Sequence, residues 1–139
     1  MSEAQTGPIR IVVVDDSDDI RDVLRLALDR EPSFNLVAEA ADGPSGVEVV
    51  REHQPQLVLL DISMPEMDGL QALPLIREAA PEAVVVMLTG FTETVGAISA
   101  VENGAHGYIQ KGGRIPELLA QIHEILDVRL SSYERPQGD

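Results

Sequence analysis

Five short aliphatic runs recur along the chain and constrain its fold more than any other feature. The runs are IRIVVVD (9–15), FNLVAEA (34–40), QLVLLD (56–61), AVVVMLT (83–89) and HGYIQK (106–111). They follow one another at similar spacings, are mostly rich in Val, Leu and Ile, and do not alternate between polar and apolar residues. Runs of this kind are typical of parallel strands that are buried on both faces of a sheet.

Helical patterns separate these runs. After Ser17, apolar residues at positions 20, 23, 24, 27 and 28 form one stripe; Ser17 or Asp18 can cap this helix, and Glu31-Pro32 ends it. Four further helices are predicted: Pro44 to His53, a helix from about Gly69, Thr92 to Glu102, and PELLAQIHEIL (116–126). Pro74 fits the third helix only within its first turn or at a bend.

Strand and helix thus alternate five times, which predicts a doubly wound α/β fold. Short connections and right-handed crossovers give a parallel sheet covered by helices on both faces. We expect one domain over residues 8–128, a disordered N-terminus (1–7) and a flexible, polar C-terminal tail (129–139). In such sheets, binding sites form beyond the carboxyl ends of the strands, where the strand order reverses.

The composition limits what this domain can do. Apolar residues make up 44% of the chain and aromatic residues 3%, which suits a globular domain with an aliphatic core. The sequence has no cysteine, so disulfides and thiolate metal sites are excluded. The net charge of −14 disfavours direct binding to nucleic acid. The sequence shows no signal peptide and no run long enough to span a bilayer, so we expect a cytoplasmic protein without membrane contact.

Polar residues, with carboxylate, hydroxyl or ammonium groups, close four of the five runs. Asp15 and Asp16 close the first run, Asp61 the third, Thr89 the fourth and Lys111 the fifth. The carboxyl ends of parallel strands meet at one edge of the sheet, so these side chains are expected to converge in one crevice.

The convergence has an electrostatic consequence. Three bare carboxylates within ~4 Å of one another repel by about 4 kcal/mol per pair at an effective dielectric near 20. A hard divalent cation neutralises such a cluster, and Mg²⁺ typically binds carboxylate, water and phosphate oxygens. Lys111 can pair with Asp61 or with an incoming phosphoryl oxygen, and Thr89 offers that oxygen a donor. This set of groups favours phosphoryl transfer onto an aspartate.

The same residues carry a family resemblance. The match covers roughly residues 9–127, and order, spacing and strand position agree together. The segments that carry it are VVVDDSDDIR, LVLLDISMPEMDGL, MLTGF and GYIQKG. The chain resembles the receiver domain of bacterial two-component response regulators. The resemblance implies a flavodoxin-like sheet with strand order 2-1-3-4-5 and five helices.

The resemblance also implies roles for the residues at the strand ends. Asp61 would be the phosphoacceptor. Asp15, Asp16 and Asp61, with the backbone carbonyl of Ser63, would hold Mg²⁺. Lys111 would pair with the phosphoryl group.

Two further residues would transmit the effect of phosphorylation to the surface. Thr89 would be the switch hydroxyl, and Tyr108 the aromatic residue whose rotamer follows it. Phosphorylation would then alter a protein-contact face formed by the fourth helix, fifth strand and fifth helix.

The sequence departs from the family pattern after Lys111. Many receivers have a proline there, whereas this chain has Gly112 and Gly113, which leaves the loop geometry open. In this respect the chain is more similar to receivers that are joined to a helix-turn-helix output domain.

Alternative interpretations remain at this stage. A Mg²⁺-dependent aspartyl-phosphate phosphatase shares the nucleophile and the metal, but it usually has a second acid where this chain has Ser63. A flavin or nucleotide module would have a glycine-rich first turn, where this chain has DDSDD. Asp18 and Asp19 fit ordinary acidic residues at a helix start.

The resemblance implies partners but does not name them. A histidine kinase or a phosphotransfer protein would donate the phosphoryl group to this phosphoprotein. The output would pass to a downstream protein or to an output domain. We expect no enzymatic activity beyond self-phosphorylation and self-dephosphorylation, whose rate in the family depends on the positions of Ser63 and Phe91. A monomer and a phosphorylation-dependent homodimer both remain open.

Overall fold

The five aliphatic runs form one parallel sheet in which helices alternate with strands along the chain. The structure is a computed structural model that describes residues 7–90 and 92–130. Its elements are β1 (Ile9–Val14), α1 (Asp18–Asp29), β2 (Phe34–Ala40), α2 (Gly43–His53), β3 (Leu57–Asp61), α3 (Gly69–Ala79), β4 (Val84–Thr89), α4 (Thr94–Glu102), β5 (Gly107–Gln110) and α5 (Ile115–Arg129). The predictions for residues 1–6, Phe91 and 131–139 lie outside the described residues.

The strand order confirms the predicted topology. The order is β2-β1-β3-β4-β5, and every neighbouring pair is parallel. The chain leaves β1 toward β2 on one side, and later returns to place β3 on the other side of β1. The carboxyl ends of β1 and β3 therefore flank the point at which the strand order reverses, where a crevice is expected.

Two apolar layers hold the sheet between the helices. Side chains alternate along β1, so that Val12 and Val14 pack in the layer beneath α2, α3 and α4. Ile11 and Val13 pack in the opposite layer with α1 and α5. Burial of each such side chain stabilises the fold by roughly 1.5–3 kcal/mol, which fixes the strand ends in place.

The helix boundaries differ from the predicted ones in informative ways. Ser17 caps α1 as predicted, because its hydroxyl oxygen accepts from the backbone N–H of Ile20 at 3.2 Å. Val23, however, is 46% exposed, so the buried stripe of α1 is narrower than its apolar pattern. The fifth helix continues to Arg129, so it includes the first residue that we expected in the flexible tail.

Pro74 lies inside α3, beyond the first turn, and is exposed. Proline has no backbone N–H, so one hydrogen bond of the helix is missing at that position. Because Pro74 is exposed, the missing bond lies on the side of the helix that faces solvent. No helix in the described part of the chain is long and apolar enough to cross a membrane.

Candidate functional site

Two buried aspartates lie side by side at the ends of the central strands. Val14 of β1 pairs with Leu60 of β3, so the residues that follow them, Asp15 and Asp61, emerge as neighbours. Both residues are buried, with 0% of their surface exposed. The strands therefore bring together two of the acids that the sequence predicted to converge.

Lys111 reaches both of these carboxylates. It follows β5 directly, and its backbone N–H donates to the carbonyl of Thr89 at 2.7 Å. Its Nζ lies 2.8 Å from Asp61 Oδ1 and 2.9 Å from Asp15 Oδ2. The ammonium side chain thus spans the end of β4 and pairs with the acids at the ends of β1 and β3.

The backbone holds one oxygen of each aspartate. The N–H of Ser17 donates to Asp15 Oδ1 at 2.9 Å, and the N–H of Ser63 donates to Asp61 Oδ1 at 3.2 Å. Asp61 Oδ2 is buried and has no hydrogen-bond partner within the described part of the chain. Asp15 Oδ2 meets Lys111 as an ion pair without the geometry of a hydrogen bond. Both Oδ2 atoms therefore keep lone pairs for further bonding.

Burial and charge act in opposite directions on the ionisable groups of the site. Burial raises the pKa of Asp61 to about 7, and the negative charge of Asp15 adds to this, although Lys111 and the Ser63 N–H oppose it. Burial opposes the charged form of Lys111, but Asp61 and Asp15 outweigh it and raise the lysine pKa. The site thus has more negative charge than its ammonium group compensates.

The cluster has the donors of a hard-cation site. Asp15, Asp16 and Asp61 each offer a carboxylate oxygen, and these oxygens lie within 4.8 Å of one another. Asp16 is exposed, whereas the other two are buried. With Lys111, the four side chains carry a formal charge of −2, which a divalent cation balances. An all-oxygen donor set with unpartnered buried oxygens fits Mg²⁺.

The structure adds Glu93, which the sequence analysis missed. Glu93 lies at the start of α4, and its Oε1 accepts from the backbone N–H of Gly90. Burial alone would raise its pKa, but hydrogen bonds from Gly90 and Ser63 and the charge of Lys111 together lower it. A glutamate just before a helix gives no sequence signal for such a position. Its bond to Gly90 is local, whereas Ser63 and Lys111, which also act on its carboxylate, are distant in the sequence.

Thr89 and Tyr108 differ in their distance from this cluster. Thr89 is the last residue of β4 and is 1% exposed, one position beyond Leu88, which pairs with Asp61. Tyr108 lies on the edge strand β5 opposite Met87 and is 42% exposed. The structure therefore places Thr89 at the buried edge of the site, and Tyr108 on the outer strand away from the carboxylates.

The acids after Asp16 lie at the start of α1. Asp18 and Asp19 occupy its first turn and are exposed, and Asp18 forms an ion pair with Arg21. These positions agree with the interpretation that they are ordinary helix-start acids.

Comparison with protein-family models identifies a match over most of the chain. The model described as the response regulator receiver domain matches residues 11–123. The chain is 36% identical over 117 residues to the chemotaxis protein CheY of Halobacterium salinarum, covering 84% of this chain and 96% of that protein. It is 39% identical over 131 residues to a protein-glutamate methylesterase/protein-glutamine glutaminase of Thermotoga maritima, covering 86% of this chain and 38% of that protein.

Solved structures show the same fold. A LuxR-family two-component response regulator from Aurantimonas sp. SI85-9A1 has a TM-score of 0.80 and 33% identity, covering 88% of both chains. The response regulator domain of Thermotoga maritima CheB has a TM-score of 0.78 and 34% identity, covering 86% of this chain and 97% of that one. The chain spans between about a quarter and just over half of the length of several curated relatives, and nearly the full length of CheY.

Proposed function

The chain belongs to the response regulator receiver family, and we propose that Asp61 is the residue that accepts its phosphoryl group. Receiver domains are phosphorylation-activated signalling switches, so the chain is a switch of this kind. The observation that carries the residue assignment is the state of the Asp61 carboxylate. Its Oδ1 is held by Lys111 and the Ser63 N–H, while the buried Oδ2 has no hydrogen-bond partner among the described residues.

The proposed reaction is transfer of a phosphoryl group from a phosphohistidine to Asp61. A carboxylate oxygen of Asp61 forms a bond to phosphorus as the phosphorus–nitrogen bond of the donor breaks. The ring nitrogen keeps the electron pair of that bond and takes a proton from solvent. The product is an acyl phosphate on Asp61 and a free histidine on the donor.

The residues around Asp61 have distinct tasks in this proposal. Asp15, Asp16, Asp61 and the backbone carbonyl of Ser63 would hold Mg²⁺, which supplies positive charge to the carboxylates and the phosphoryl oxygens. Lys111, which contacts Asp61 Oδ1, passes to a phosphoryl oxygen once that carboxylate is phosphorylated. The ammonium group thereby compensates the charge both before and after the transfer.

Thr89 and Tyr108 carry the change outward in this proposal. The Thr89 hydroxyl lies at the end of β4, next to the strand that carries Asp61, and donates to a phosphoryl oxygen. Tyr108, exposed on β5, then changes its rotamer, and the face formed by α4, β5 and α5 changes with it. Support comes from α4, whose residues described as buried are the small Ala97 and Ala100, so that little apolar surface resists its movement.

The partners follow from the family. We infer that a histidine kinase or a phosphotransfer protein in the cytoplasm donates the phosphoryl group. The receiver domain comprises residues 8–128 in this proposal. The output passes through the α4, β5 and α5 face to a downstream protein or an output domain, with homodimerisation on phosphorylation as one form of that contact. The methylesterase named for the longer relatives is not assigned to this chain. A phosphatase activity is not favoured, because Ser63 offers no second acid.

The test uses acetyl phosphate as a small phosphoryl donor. The wild-type protein in Mg²⁺ should gain one phosphoryl group by intact-mass spectrometry, whereas Asp61→Asn should gain none. Asp29→Asn, an exposed aspartate at the end of α1, is the matched control and should behave as wild type. Equal modification of Asp61→Asn would refute the assignment. Steady release of phosphate over many rapid turnovers would favour the phosphatase instead.

A further inference from the structure

The Glu93 carboxylate is folded back onto the edge of the phosphoacceptor site. Its Oε1 accepts from the Gly90 N–H. The Ser63 side chain and the positive charge of Lys111 help to lower its pKa. Two of these residues also contact the Asp61 carboxylate, Ser63 through its backbone N–H and Lys111 through Nζ. A fourth acid therefore lies at the rim of an already acidic site.

The Glu93 side chain does not cap α4 itself. Glu93 is the N-cap residue of α4, yet within the described residues its side chain makes no capping hydrogen bond to that helix. A capping side chain would accept from an N–H two or three residues later. Glu93 instead accepts from the N–H of Gly90, three residues earlier, and its own backbone N–H donates to the Gly90 carbonyl at 3.1 Å. The carboxylate thus closes a turn that begins directly after the end of β4.

We propose that the Glu93 carboxylate occupies the place of an outer phosphoryl oxygen, and that phosphorylation of Asp61 displaces it. The proposal rests on the proposed function. A phosphoryl group brings additional negative charge and three acceptor oxygens to the crevice. One N–H cannot fully satisfy two anions, and two anions that face the same donors repel each other.

The displacement would connect the site to α4. Gly90 follows β4, whose Leu88 pairs with Asp61, so its N–H lies at the edge of the sheet from which Asp61 emerges. Glu93 immediately precedes the first residue of α4. Loss of the side-chain bond to Gly90 removes one of the two hydrogen bonds between Gly90 and Glu93, and so loosens the turn at the start of that helix. In the unphosphorylated protein, Glu93 acts as a positioning residue that holds the turn closed.

Beryllofluoride with Mg²⁺ is a suitable probe, because it forms a phosphoryl analogue on carboxylates. Glu93→Gln should bind beryllofluoride about fivefold or more tightly than wild type, as expected for a competing anion whose removal lifts a negative coupling. Glu102→Gln removes the same charge at the other end of α4 and should leave the affinity unchanged. A variant that merely damaged the fold would bind more weakly, so the direction of the change is diagnostic.

The outcomes separate the two proposals. Saturable binding to wild type with equal or weaker binding to Glu93→Gln overturns the displacement and leaves the proposed function intact. Absence of binding to wild type overturns both.

The Gly90 amide resonance gives a second readout by nuclear magnetic resonance. It should differ between wild type and Glu93→Gln in the free proteins and coincide in their beryllofluoride complexes. A difference that persists in the complexes shows that Glu93 keeps its bond, and rejects the proposal.

Discussion

Asp61 destabilises the fold that positions it, because its carboxylate is fully buried beside a second buried acid. Burial disfavours the ionised form, and the contact with Lys111 compensates only part of this effect, so the pKa of Asp61 is raised to about 7. The same group is therefore unfavourable for stability and suited to bonding with a cation or with phosphorus.

Replacing Asp61 should stabilise the protein when Mg²⁺ is absent. Asp61→Asn should raise the free energy of unfolding at pH 8 by roughly 1–3 kcal/mol, because the amide carries no charge into the buried site. The folded pKa of about 7 lies above the ordinary value of 3.8, so the folded state binds the extra proton. The wild-type protein therefore loses stability from this group as pH rises from about 4 to about 7.

Urea unfolding in a chelator across this pH range measures the effect. The gain of Asp61→Asn over wild type should grow with pH and become level above about pH 7. Asp29→Asn should show no such growth. A gain that does not change with pH, or a loss of stability, would show that the buried carboxylate is not strained by its charge.

Replacing Lys111 should lower the stability of the protein, in contrast to replacing Asp61. Lys111→Met keeps much of the apolar stem but leaves Asp15 and Asp61 without their ammonium partner. In a chelator it should lower the free energy of unfolding by about 2 kcal/mol, less than for a fully buried pair because Lys111 is partly exposed.

The same variant should bind Mg²⁺ more tightly, since a positive charge next to the carboxylates has been removed. Calorimetric titration with Mg²⁺ measures this, with exposed Arg30→Met as the control that also removes one cation. Unchanged Mg²⁺ affinity in Lys111→Met would mean that the cation binds away from this cluster.

At the scale of elements, the loop between β3 and α3 is packed against β3, the strand that ends in Asp61. The Gly69 N–H donates to the carbonyl of Ile62 at 2.7 Å, and a Cβ at Gly69 would lie 2.2 Å from the carbonyl oxygen of Asp61. The backbone of α3 thus approaches the site so closely that only glycine fits. This contact gives a physical reason for the glycine in the DISMPEMDG segment.

Two glycine substitutions should therefore have opposite effects. Gly69→Ala should lower the free energy of unfolding by about 3 kcal/mol, because the methyl group forces the backbone of Asp61 to move. Gly96→Ala in α4 should raise it by about 0.5–1 kcal/mol, since its Cβ would meet Ile62 at 3.7 Å, an ordinary contact. Urea unfolding of both variants tests the pair, and equal effects would contradict the packing described for these two helices.

The pattern of apolar residues predicted which helices and strands form better than it predicted where they end and which residues they bury. The aliphatic runs and the helical spacing of apolar residues identified all ten elements, because both patterns are local in the sequence. The exposure of Val23 was not predictable, because the width of a buried helix stripe depends on what packs against it. α5 extends to Arg129, beyond the apolar pattern that predicted it. The end of this helix was not predictable either, because it is not set by core contacts alone.

At the scale of the whole molecule, the topology explains why the site could be predicted from the sequence. A parallel sheet brings the strand ends together, so residues as distant as Asp15, Asp61 and Lys111 could be placed in one crevice before any coordinates were known. Glu93 could not, since its position depends on how the turn before α4 folds over that crevice. Tyr108 lies on the outer strand, and its predicted role as a reporter of Thr89 remains a prediction.

The central claim is that a Mg²⁺-dependent acyl phosphate forms on Asp61 and on no other carboxylate. After treatment with acetyl phosphate, borohydride reduces an aspartyl phosphate to homoserine, which peptide mass spectrometry can locate. With Mg²⁺, homoserine should occur at position 61 alone, and a chelator should abolish it. Homoserine at another aspartate, or none in the presence of Mg²⁺, would contradict the account.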